Sequence, residues 1–218
     1  MDLLGRSTLP ADATIAVAIK AARGEQLHVG MAYRPDRGEP WRLLHLAWHH
    51  TLRDDELDDT YGCVLLAGLP ALLAPAVVMS CKLTARQKLR NQLPYGFGWR
   101  DGALVQDAQG VLTLDAGVAG LTCATFVLAQ LDLSGLRLVE LETWAARPGD
   151  DAWKQWVIDM LRDHGASAEH VRQVQASTHH VRVRPDDVAG AASALPKPVA
   201  FAEATQAGAL VRAALGLP

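Results

Sequence analysis

Hydrophobic and polar positions change their period several times along the chain. Thr14 to Lys20 (TIAVAIK) and Gln26 to Tyr33 (QLHVGMAY) are short β-branched or alternating runs separated by AARGE, a turn-forming segment. They predict two antiparallel strands. In the second run Leu27, Val29 and Met31 fall on one face, and His28, Gly30 and Ala32 on the other. After RPDRGEP, dense in turn formers, WRLLHLAWH from Trp41 to His49 reads as the returning strand of a hairpin. The acidic stretch RDDELDD, Arg53 to Asp59, reads as a solvated loop whose spacing does not match a calcium loop.

From Leu69 to Leu93 the pattern turns from apolar to amphipathic, which fits one or two helices ending before Pro94. PYGFGW (Pro94 to Trp99) reads as an ordered loop, and Ala108 to Gly110 as the turn of a short hairpin. A glycine-rich loop then precedes an apolar helix from about Thr122 to Leu131, closing near Ser134 and Gly135. Leu136 to Trp144 is expected to be extended. A helix capped by Asp150 or Asp151 would carry Trp153, Trp156, Val157, Met160 and Leu161 on one stripe. Ser167 to His179 is expected to be helical, Val181 to Arg184 extended, ALPKPVAF a linker, and Ala202 to Leu215 a last amphipathic helix.

Composition narrows the functional classes. The 218 residues are half apolar, with 21 basic and 24 acidic side chains and a net charge of −3. No Lys/Arg run exceeds two residues, so nucleic-acid binding has no electrostatic support. Cys63, Cys81 and Cys123 are odd in number and without metal-site spacing, which predicts reduced thiols rather than a disulfide scaffold. The N-terminus has no basic region followed by a long apolar stretch. Val64 to Met79, interrupted by Gly68, Pro70 and Pro75, is short for a membrane span. A cytoplasmic protein, or one exported by a signal-less route, is the expectation, with no transmembrane segment, no cofactor and no metal.

Candidate chemistry centres on Cys123. At the start of the predicted helix, after Gly117, Gly120 and Thr122, its sulfur would meet free backbone N–H groups and the positive end of the helix dipole, both of which favour a thiolate. The same N–H groups could face an oxyanion. His28 shares its strand face with small residues that leave room for an approaching side chain, and His45 on the partner strand would lie beside it. One imidazole can then accept the thiol proton while the other orients it. Two strand histidines also suit a metal pair or plain polar positions, and a free cysteine is often an inert core residue. His49, His50, His179 and His180 read as surface residues.

HVGMAY, a second histidine on the next strand, and TCATFV at the head of a helix resemble the circularly permuted branch of the papain-like, NlpC-related thiol hydrolases. That branch includes the lecithin:retinol acyltransferase-like enzymes and small bacterial permuted amidases. PYGFGW is similar to the Tyr-Gly-Phe loop upstream of the cysteine in some members. The resemblance covers about residues 14 to 131 and implies Cys123 as nucleophile, His28 as base and His45 as the orienting residue. It implies an α+β fold in which a histidine-bearing antiparallel sheet packs on the cysteine-bearing helix. The expected division is a core over 1–144 and a mainly helical C-terminal elaboration over 145–218. The expected activity is a thiol hydrolase or acyltransferase acting on a peptide, amide or other acyl substrate through a thioester. The alternative is an inactive binding module of the same fold.

Overall fold

The computed structural model describes residues 3–22, 26–36, 38–90 and 92–217. Five strands form one antiparallel sheet: β1 (Ile15–Ala21), β2 (Leu27–Tyr33), β3 (Arg42–Trp48), β4 (Thr51–Glu56) and β5 (Gly62–Leu65), in the order β4-β3-β2-β1-β5. β1 and β2 pair in register from Ile15 opposite Tyr33 to Ala21 opposite Leu27, as their alternation predicts. Part of the turn expected at AARGE, residues 23–25, lies outside the described residues.

A second, two-stranded hairpin joins β6 (Leu104–Gln106) and β7 (Leu112–Leu114) across the expected turn. Among the described residues there are six α-helices: α1 (Leu73–Arg86), α2 (Cys123–Asp132), α3 (Asp150–Asp163), α4 (Ala168–Ala176), α5 (Pro185–Ser193) and α6 (Phe201–Ala214). The molecule is α+β, and none of its described helices is long and apolar enough to cross a membrane.

Alternation along the strands splits the apolar residues between two faces. Ile15, Val17, Ile19, Val29, Met31, Leu44 and Leu46 build the larger cluster with α2, α3, α4 and α5. Ala16, Ala18, Ala32, Leu43 and Cys63 build a smaller one with Leu9, Trp41, Leu57 and Tyr61 on the other face. α2 is buried almost throughout, and Phe126, Leu128 and Leu131 are among the largest fully buried side chains. Burying such a side chain contributes roughly 1.5–3 kcal/mol.

Several expectations are corrected. The acidic stretch is not simply a loop, since its first half is β4, paired with β3 from Trp48 opposite Thr51 to Arg42 opposite Glu56. Its charges stand on a sheet edge, where they are partly solvated and meet partners across the strand. Leu136 to Trp144 holds no strand; it carries one bridge from Val139 to Val199 and a 3₁₀ turn over Leu141–Thr143. Val181 to Arg184 likewise joins no strand. Trp156, expected on the buried stripe of α3, is 43% exposed. The helix α5 was not expected at all. It packs on β1, β2 and β5, and against α6.

Candidate active site

Strand pairing prepares the site. β2 and β3 pair only from Met31 opposite Leu44 to Tyr33 opposite Arg42, and beyond that the ladder stops. There the two strands are joined by side chains: His28 Nε2 and His45 Nδ1 stand 2.7 Å apart with their rings edge to face. Gly30 makes this approach possible, since a Cβ at that position would fall 2.8 Å from the Cβ of His45. His45 Nε2 lies 3.1 Å from Asp55 Oδ2 on β4, and Arg53 holds the same carboxylate oxygen at 2.8 Å.

These contacts fix the tautomers. An ionised Asp55 only accepts, so His45 Nε2 donates to it and His45 Nδ1 carries a lone pair. His28 Nε2–H then donates to His45 Nδ1, which leaves the lone pair of His28 on Nδ1. Burial, then the neighbouring His45 and Lys20, push the His28 pKa down to about 3, so its imidazole is neutral. Burial lowers His45 as well, against the pull of the Asp55 hydrogen bond. For Asp55 burial opposes ionisation, but the bonds from His45 and Arg53 outweigh it and hold the carboxyl low.

Cys123 opens α2. Thr122 is the N-cap: its hydroxyl accepts the Thr125 N–H at 3.1 Å, while the Thr125 hydroxyl accepts the Thr122 N–H at 2.8 Å, a reciprocal box. Gly120, two residues before the cap, has a φ of +153° and sits where a Cβ would be 2.6 Å from the Pro94 carbonyl. This brings the PYGFGW loop against the helix start. Tyr95 of that loop is clamped through its backbone, its N–H donating to His49 Nδ1 at 3.1 Å and its carbonyl accepting from His170 Nε2 at 2.9 Å. Its buried hydroxyl neighbours the Cys123 sulfur. His49, read as a surface residue, therefore holds a loop beside the cysteine.

The backbone N–H groups of Val29 and Ala124, and the more distant Arg182, favour a Cys123 thiolate, but burial outweighs them and raises the thiol pKa. This corrects the expectation of a lowered value: Cys123 is only 6% exposed, and desolvation exceeds the pull of the helix start. No hydrogen bond joins Cys123 to His28 among the described residues. By alternation His28 and His45 share the sheet face of Ala32, Leu43 and Tyr61, whose ring is 6.5 Å from that of His28, whereas α2 and Cys123 pack on the Val29 and Met31 face. The structure thus brings the two histidines together but does not bring them to Cys123; the nearest tie is the Val29 amide, which faces the sulfur.

Comparison with known proteins returns no match to a family model, a curated protein or a solved structure. The site therefore rests on its own geometry. Cys63 and Cys81 are buried with pKa values raised by desolvation, Cys63 to about 12; Cys63 lies on the face of Ala18, Leu43 and Tyr61. Among the described residues no group of three or more His, Cys, Asp or Glu side chains is placed to hold a metal. Sequence reasoning missed Asp55, hidden in a run of acids, and Arg182, whose segment shows only alternation; it singled out the PYGFGW loop that carries Tyr95 but gave Tyr95 no role. The faint signal for Asp55 was position: it stands two residues from Arg53, the residue paired with His45.

Proposed function

We propose that this chain is a cysteine-dependent hydrolase or acyltransferase of the permuted papain-like kind, acting on an amide or ester through a Cys123 thioester. The observation that supports this reading is the relay from Asp55 through His45 to His28 on β2, the strand whose Val29 amide faces Cys123. His28 Nδ1 takes the thiol proton as the sulfur attacks the carbonyl carbon. The C=O π electrons move to oxygen, and the Cys123 and Ala124 N–H groups at the start of α2 are the nearest donors to that oxyanion. Its collapse breaks the bond to the leaving group, which takes the proton from His28. Water or another acceptor, deprotonated by His28, then attacks the thioester, and the sulfur leaves with the proton returned. His45 supports the imidazolium that forms in each half, and Asp55 supports His45. This reading requires the His28 imidazole to turn past the edge of β2 towards Cys123 when substrate binds.

A second reading, a binding module with an inert cysteine, is favoured by the burial and raised pKa of Cys123. Acylation by p-nitrophenyl acetate, followed by acid quench and peptide mass spectrometry, separates the two. The enzyme reading expects acetyl on Cys123 alone, formed about 10²–10⁴ times more slowly in His28→Ala. An unlabelled Cys123 establishes the inert cysteine instead, and equal labelling in both proteins removes His28 as its base.

A further inference from the structure

Arg182 acts on Cys123 only from a distance in the reaction above, yet its own surroundings ask for a partner. Its side chain is 16% exposed, and its guanidinium lies 3.8 Å over the indole ring of Trp153. The nearest acid atom, Asp150 Oδ1, is 3.5 Å away and is already held by Arg184 at 2.8 Å. Its Nε is buried with no partner, and the guanidinium donates no hydrogen bond among the described residues. Arg147, by contrast, is held by both oxygens of Asp187, at 2.9 and 2.7 Å. A nearly buried cation with unused donors is costly unless something pairs with it.

Arg182 and Trp153 line two adjoining spaces. One is a cleft of about 410 Å³ that also reaches Leu27, beside His28, and carries Arg184, Arg212 and Asp186. The other is a small cavity bounded by Thr122 and Thr125 at the start of α2. Arg182 is thus the wall between an arginine-lined cleft and the helix start that carries Cys123. Asp186, the acid lining that cleft, stands 3.9 Å from Arg212.

We propose that Arg182 receives a carboxylate on the acyl part of the substrate, so that the preferred acyl donors are acidic. This rests on the thioester reading. Arg182 and Arg184 share one carboxylate oxygen, an excess of one positive charge, which a carboxylate balances and a phosphate dianion would overshoot. The planar guanidinium offers two parallel N–H groups to such a ligand.

The test compares mono-p-nitrophenyl glutarate with p-nitrophenyl valerate, which replaces the carboxylate by a methyl group, in wild type, Arg182→Gln and Arg182→Lys. The wild type should prefer the glutarate ester by about tenfold or more in kcat/KM, the scale of a charge-assisted hydrogen bond. Arg182→Gln should lose that preference, its kcat/KM falling about tenfold further on the glutarate ester than on the valerate ester, and Arg182→Lys should keep part of it. No preference in the wild type, or a parallel loss for both esters, overturns the proposal, the latter because Arg182 would then act on Cys123 alone. Free glutarate titrated into Cys123→Ala by NMR reads the site without catalysis. If it binds through Arg182 while neither ester is hydrolysed, the thioester reading fails and the carboxylate site stands. If the valerate ester is hydrolysed and glutarate does not bind, the carboxylate site fails and the thioester reading stands.

Discussion

Asp55 decides which nitrogen of His28 is basic, although it lies two residues away in the relay. Replacing it by Asn keeps the shape and removes the charge that fixes His45. We expect Asp55→Asn to lower kcat/KM for an aryl ester by about 10²-fold or more, since a comparable change in a serine protease triad costs ~10⁴. An unchanged rate in a folded variant would remove Asp55 from the mechanism. Titration belongs to the same scale. With His28 near 3 and His49 near 4 in the folded chain, and His45, His50 and His180 also lowered, the unfolded chain takes up protons below its ordinary value of 6.5 that the folded chain refuses. Their contribution to stability is complete above pH 6.5 and is lost as pH falls towards 3–4. The melting temperature should therefore be lower at pH 5 than at pH 7, and a flat profile over that interval would contradict the burial of these imidazoles. The placement of Cys123 at a helix start and of His28 beside His45 was legible, because a capped apolar run and a strand face with small residues are local signals. How the cysteine and the histidines lie relative to each other was not, because it depends on which sheet face α2 covers. Nor was Arg182, because VRVR shows only alternation, and its isolation arises from which acids the fold sends to other partners.

At the level of elements, one short cap carries much of the site's geometry. The Thr122–Thr125 box fixes the first turn of α2, and with it the N–H groups around Cys123. Thr122→Ala should cost about 1 kcal/mol, read as a lower urea midpoint with an unchanged slope. A loss of kcat larger than the stability change alone implies would show that the cap also positions the sulfur. Strands β1 to β3 and helix α2 could be read directly, because period 2 and a capped apolar run are strong local signals. β4 could not, because Leu52 is its sole buried apolar residue and its charges face partners or water at the sheet edge. α5 was hidden for another reason. Its buried face is Ala and Gly with one Val, so it lacks an apolar stripe, and Asp186 and Asp187 look like surface residues until Arg212 and Arg147 are seen across from them.

For the whole molecule, the helical segment after Trp144 packs into the same core as the residues before it. Val157, Ile158, Leu161, Val171, Val188 and Ala189 share one cluster with the strands and α2. A chain ending at Trp144 would leave the α5-facing side of β1, β2 and β5 in water. We expect residues 1–144 alone to bind the dye ANS and to show no cooperative thermal transition; a sharp transition would show that those residues fold without the rest. The same arrangement sets when the protein becomes competent. Cys123 and the histidines precede α5 and α6 in the chain, yet α5 must seat on the sheet and α6 on α5. A growing chain thus carries its thiol and its imidazoles without finished surroundings until both helices have been made and have packed.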